Sequence, residues 1–248
     1  MSDAMQHFWP LATTVFLFSI VQSLFGVGLL VFGTPTLLLL GYPFEETIAA
    51  LLPSSLVISL MQTLHGKDRL GALRRSLVLY ATPFIVAGLA LVLSKVLVVD
   101  IKFLVGVLLV FTAITRFNEN VQRALAGILK NHTKLYLMFT GFVHGLSNMG
   151  GGLLTMLATT LYNDKETTRA NIAYGYLVFA LSQILVLSVL HPKAFGLHCL
   201  ILAAIAFLAY RTVGNLIYVK SSQRVYQQLI TMFIFAYGIV LIGQKIFN

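Results

Sequence analysis

The run Gly145-Leu146-Ser147-Asn148-Met149-Gly150-Gly151-Gly152 breaks an apolar stretch that extends from Leu135 to Leu161. A related break, Phe25-Gly26-Val27-Gly28, interrupts the stretch from Leu11 to Leu40. In lipid, each bare N–H or C=O costs several kcal/mol, so non-helical backbone survives only where protein or a watery cavity satisfies it. The two breaks are therefore expected to face each other near the membrane midplane and to form the site. That the setting is a membrane follows from composition: 58% of residues are hydrophobic and only 10% charged, against about 25% charged in soluble domains. The net charge of +9 reads as basic loops on one membrane face and not as a nucleic-acid surface.

The other apolar blocks run Thr47–Leu64, Ser76–Leu93, Phe103–Ile114, Ala170–Leu190, Phe195–Ala209 and Leu229–Ile246. Most approach the roughly 20 residues that span the hydrocarbon as a helix. The expected fold is an all-α polytopic membrane protein. Pairing Pro43–Leu64 with Asp164–Leu185, a shift of 121, gives eight identities in 22 positions, among them Gln62/Gln183 and the Glu-x-Thr-x-Ala runs at Glu45 and Glu166. Two four-block repeats follow, residues 1–117 and 134–248, joined by a cytoplasmic linker at 118–133. Each repeat opens with a glycine-broken helix, either kinked or re-entrant. If both are re-entrant hairpins, thirteen of the 17 basic residues face one side; if all blocks cross, the split is ten to seven. The positive-inside rule favours the hairpins, and three crossings per repeat then make the second repeat inverted.

A helix that restarts after each break presents free N–H groups and the positive end of its dipole, an anion site without a buried cation. Gly26, Gly28, Gly150, Gly151 and Gly152 let the backbone approach a ligand, although small residues also serve close helix packing. Gln22 and Ser23 from the first break, and His144, Ser147 and Asn148 from the second, offer side-chain groups. Ser55, Ser59 and Gln62 share one helical face, as do their repeat counterparts Tyr176, Ala180 and Gln183, which makes Ser55, Gln62, Tyr176 and Gln183 further candidates. Arg169 reads as an inside-face charge in preference to a ligand contact. Glu45 and Glu166 read as helix-start carboxylates, and Trp9 and Tyr42 as interfacial anchors. Asn171 and Tyr174 are weaker candidates.

All eight acidic residues lie in loops or at block ends, whereas proton-coupled carriers commonly hold a carboxylate or His inside the bundle. Only His144 adjoins a break, so strong proton coupling is not indicated. An uncoupled anion in an inside-negative membrane runs outward at about 2.3 kcal/mol per charge per 100 mV, which makes export the natural direction. The lone Cys199 excludes an internal disulfide and a multi-cysteine metal site and reads as a packed thiol; no cofactor or metal motif is present. No basic n-region precedes the first block, which is expected to be retained. A small anion and the lipid bilayer are the expected partners, with a homo-oligomer possible. An anion channel is the alternative. An intramembrane enzyme stands further back, since Ser147 and His144 lack an oriented third group.

The residues Gly26-Val27-Gly28 with Thr34-Pro35, and Gly145 through Gly152, carry a resemblance. In a basic, duplicated chain of this length they resemble the TauE/SafE sulfite exporter family. The resemblance implies movement of sulfite, organosulfonates and related small anions across bacterial inner membranes. The chain departs from the family pattern at Leu29-Leu30, at Ala158, and at Pro53-Ser54-Ser55 and Tyr174-Gly175-Tyr176. These departures lie on the expected site, and so bear on the substrate more than on the fold.

Overall fold

The computed structural model describes residues 3–97, 100–117 and 127–214, and among them every regular element is helical. The helices are α1 (Asp3–Phe25), α2 (Leu29–Leu39), α3 (Phe44–His65), α4 (Leu73–Leu93), α5 (Ile101–Phe117), α6 (Thr133–Ser147), α7 (Gly150–Leu161), α8 (Lys165–Leu190) and α9 (Leu197–Gly214). Residues 127–131, within the expected linker, are also helical. The expected block Leu229–Ile246 lies outside the described residues. Five helices, those of α1, α3, α4, α8 and α9, are long and apolar enough to cross a membrane. They expose large apolar side chains such as Leu64, Leu79, Leu185 and Leu200, while Gln22, Ser55, His144 and Gln183 are buried. Apolar outside and polar inside is the arrangement lipid selects, and the chain is an integral membrane protein.

Helix α2 turns back along α1. Phe18 stacks near Phe32 at 5.9 Å between ring centroids. At the open end, the Tyr42 hydroxyl donates to the His7 carbonyl at 2.6 Å. A single kinked span would carry Tyr42 away from His7, so the first break is a hairpin. Its two arms are unequal, because α1 has 23 residues and α2 only 11. Tyr42, expected as an interfacial anchor, is instead 7% exposed and packed on His7; Trp9 is 55% exposed, as an anchor would be. Helices α6 and α7 form a second hairpin, in which the Tyr136 hydroxyl reaches the Leu153 carbonyl at 2.9 Å.

Helices α3 and α8 pack antiparallel between these hairpins. His191, just past α8, pairs with Glu45 at the start of α3 at 2.9 Å. At the other end Arg69, just past α3, pairs with Glu166 at the start of α8 at 2.6 Å. Asn171 holds the same turn by accepting from the Gly71 N–H and donating to the Arg69 carbonyl. Both glutamates sit in a first helical turn, as expected. The first hairpin opens at the Glu45 end, where His7 contacts Glu46. The second opens at the Arg69 end, where α7 runs into the loop that begins α8.

The second hairpin is clamped to α4. A Cβ on Gly88 would lie 2.8 Å from the Phe142 carbonyl oxygen, and one on Gly145 or Gly141 would strike the Ile85 or Ala81 carbonyl. Small residues let membrane helices approach this closely. For Gly145, then, packing is the reading that holds. The contact uses the end of a π-helical turn in α4, Leu77–Ala81.

Candidate functional site

At the first break, Gly26 closes α1 with φ +72, a left-handed conformation that costs an ordinary residue about 1–2 kcal/mol. Its N–H donates to the Gln22 carbonyl at 2.8 Å. The chain then folds so tightly that a Cβ on Gly28 would lie 2.6 Å from the Gln22 nitrogen. This brings the Gln22 side chain over the start of α2, where its Oε1 accepts the Leu29 N–H at 3.2 Å. The Gln22 amide nitrogen donates to the Ser55 carbonyl and to the Ser59 hydroxyl at 3.0 Å. Gln62 donates to the carbonyls of Gln22 at 2.9 Å and Ser23 at 3.1 Å. Ser55, Ser59 and Gln62 therefore do share a face, and that face grips the end of α1.

The second break repeats this with different side chains. Asn148 takes the left-handed position at φ 63, and its N–H donates to the His144 carbonyl at 2.7 Å. His144 Nδ1 accepts the first N–H of α7, from Gly150, at 3.2 Å. Gln183 donates to the His144 carbonyl at 3.2 Å, the bond that Gln62 makes 121 residues earlier. The Asn148 amide nitrogen crosses to the first hairpin and donates to the Thr34 hydroxyl of α2 at 2.8 Å. The Tyr176 hydroxyl lies directly against Gly151, and Gly152 is buried in the first turn of α7.

The breaks do not meet tip to tip, as the sequence suggested. Gly66 packs on Ala170, which sets Gln62 level with Tyr174 and roughly 13 Å along the axis from Gln183. The hairpins overlap across the middle, and the two break clusters lie side by side, joined through Asn148 and Thr34. The first tip reaches further because α1 is a full-length helix, and Gly26 sits against Arg169 and Ile172. Ser23 and Ser147 are spent on their own helices, donating to the Ser19 and Val143 carbonyls. The Leu29 N–H after Gly28 and the N–H of Gly150 itself are likewise taken, by Gln22 and His144. By helix geometry, those of Leu30 and Val31 and of Gly151 and Gly152 still lack an intrahelical acceptor.

Several buried polar atoms at these breaks have no hydrogen-bond partner among the described residues: Gln62 Oε1, His144 Nε2, Asn148 Oδ1, Tyr176 Oη and Gln183 Oε1. Each such group costs about 1–3 kcal/mol, a concentration that packing does not explain. Sequence reasoning passed over Thr34 as a site residue and gave Arg169 no partner. The Arg169 guanidinium donates to the Ser23 carbonyl at 2.6 Å, so a cation at the basic end of the bundle also holds the C-terminal end of α1. With Gln62, His65 and Arg69 it lines a cavity of about 130 Å³ at that end. A signal existed, since the repeat sets Arg169 against Ile48, a buried apolar position.

The family model described as Sulfite exporter TauE/SafE matches residues 11–241. No curated protein and no solved structure matches the chain.

Proposed function

Because the chain belongs to the TauE/SafE sulfite exporter family, we propose that it carries a small anion, a sulfonate or a sulfite-like species, by alternating access. The direction is export, and the location is the bacterial inner membrane. Two inverted repeats, residues 1–117 and 134–248, supply one hairpin each, and the Arg69 end, rich in basic residues, faces the cytoplasm. The anion lies at the start of α7, neutralised by N–H groups of Gly151 and Gly152 and oriented by Asn148, Tyr176 and Gln183.

The observation that carries this reading is the second break: a helix start in the middle of the bundle, ringed by buried polar atoms without partners. Transporters place broken helices of this kind at their substrate sites. Thermal unfolding of the detergent-purified protein tests it, screened against sulfite, methanesulfonate, sulfate, thiosulfate and small carboxylates. A ligand at 100 times its Kd adds about 2.7 kcal/mol. A shift selective for sulfonate or sulfite, abolished by Asn148→Ala, supports the site. Folded protein that responds to none of these anions at high concentration defeats it.

A further inference from the structure

We infer that His144 takes up a proton when the anion binds, so that proton and anion cross as a pair. The inference rests on the transport reading above and supplies the coupling ion that composition alone did not suggest.

Because Gly150 N–H donates to His144 Nδ1, Nδ1 bears no proton, and the neutral ring carries its hydrogen on Nε2. That Nε2–H is fully buried and makes no well-formed hydrogen bond among the described residues, the Gln183 side-chain amide being its polar neighbour. The ring is fixed by Phe179, with centroids 4.3 Å apart, and by Gln183 holding the residue's carbonyl. The Tyr176 hydroxyl against Gly151 is a second donor without an acceptor. A ligand rich in lone pairs satisfies both. An anion that also takes the Gly150 N–H displaces Nδ1, and a released lone pair beside a negative charge takes a proton. Once protonated, Nδ1 is a donor and cannot return to the Gly150 N–H. Each event removes what opposes the other, which is the condition for coupled binding.

Nothing else nearby competes for that proton. The segments packed on His144, which are residues 77–93 of α4, all of α7 and residues 174–190 of α8, contain no Asp, Glu, Lys or Arg. The titratable group facing it from α8 is Tyr176, and Tyr136 on its own helix is engaged with Leu153. The first hairpin is an internal control, since Gln22 caps Leu29 in the same way and cannot titrate. A monoanion leaving with one proton moves no net charge, so export then follows the substrate and pH gradients and not the membrane voltage.

The test is purified full-length protein in liposomes, with radiolabelled methanesulfonate as the probe, a pH dye inside, and voltage clamped by potassium and valinomycin. Methanesulfonate stays ionised throughout, so any proton that moves is carried by the protein. Wild type should move about one proton per anion at a rate indifferent to the clamp. His144→Gln keeps an acceptor for Gly150 and should move the anion more slowly, with at least a tenfold lower proton-to-anion ratio and a rate that now follows voltage. Calorimetry of methanesulfonate binding, in buffers of different ionisation enthalpy, decides the matter if that variant is too slow. Wild type should take up about one proton on binding and His144→Gln none. Anion flux without protons in wild type, or an unchanged ratio in the variant, overturns the inference alone. A wild type that moves neither methanesulfonate nor sulfite overturns the transport reading along with it.

Discussion

In the first hairpin an amide covers the start of the returning helix, and in the second an imidazole does. Gln22 Oε1 and His144 Nδ1 accept the first N–H of α2 and of α7 at the same distance, 3.2 Å. Each break is closed by a left-handed residue whose N–H returns to the capping residue's carbonyl, and each carbonyl is gripped by a glutamine 121 residues from its counterpart. Around this common backbone the surroundings differ. In the first cluster Gln22 is bonded to Ser55 and Ser59 and Arg169 reinforces Ser23, which leaves Gln62 Oε1 as its unpartnered glutamine atom. The second holds most of the unpartnered atoms and is packed glycine-to-backbone on α4. The two breaks thus share one backbone geometry, and on the function proposed above the first serves as a support and the second as the binding centre.

The comparison breaks most readily at the glycine seam. Gly145→Leu drives a side chain into the Ile85 carbonyl and should cost about 3 kcal/mol, the upper end for overpacking, read by chemical unfolding in detergent. The position 121 residues earlier is already Leu24, and Leu24→Ala should cost clearly less, because no such seam holds the first hairpin. Next comes the polar support. Gln22→Ala strands the Leu29 N–H and should destabilise by about 2 kcal/mol, with little change in anion affinity per folded molecule if the second cluster is the binding centre. An equal loss of affinity from Gln22→Ala and Asn148→Ala would show that both clusters bind.

The glutamines sharpen the contrast further. Interhelical hydrogen bonds in membranes average about 0.6 kcal/mol and reach about 1.7. Gln183→Ala should fall near the top of that range and Gln62→Ala near the bottom, because Arg169 still holds Ser23 after Gln62 is lost. A last effect lies outside the membrane, at the α7–α8 turn. Asp164 caps α8 by accepting the Thr167 N–H at 2.7 Å. That bond foremost, with help from Arg69, holds its carboxyl below the usual carboxylate range. A depressed folded-state pKa gives stability that is present above the unfolded value and lost as pH falls through the folded one. Asp164→Ala should therefore cost about 1 kcal/mol at neutral pH and progressively less in acid, with Tm followed from pH 7 to pH 3.

Much of this was legible because membrane helices advertise themselves. The blocks within the described residues emerge as helices, and the two breaks, the shared face of Ser55, Ser59 and Gln62, and the glutamine pair fall where glycine content and a 121-residue shift place them. Depth was not legible. A break in an apolar run gives no measure of how far each arm extends, and α1 extends through residues 3–10, which composition does not mark as spanning. Nor does sequence tell a glycine needed for a turn from one needed for a neighbour; Gly26 and Gly145 look alike until α4 is in place. Arg169 reads as an inside-face charge because its acceptor, the Ser23 carbonyl, is backbone and leaves no trace in residue identity.

Where α4 and α6 meet at Gly88, Gly141 and Gly145, main chain lies on main chain with no side chain to serve as a bearing. Surfaces meshed in this way do not slide past one another. The second break therefore has no stroke of its own. Under the alternating access proposed above, a movement that turned His144 from one face of the membrane to the other would sweep α4 along, with Tyr80 beneath the Lys134 ammonium at 5.5 Å riding at its foot. The second hairpin would then act as a tooth cut into a larger gear, with the first, held by polar ties that can be unmade and remade, as the catch against which that gear turns.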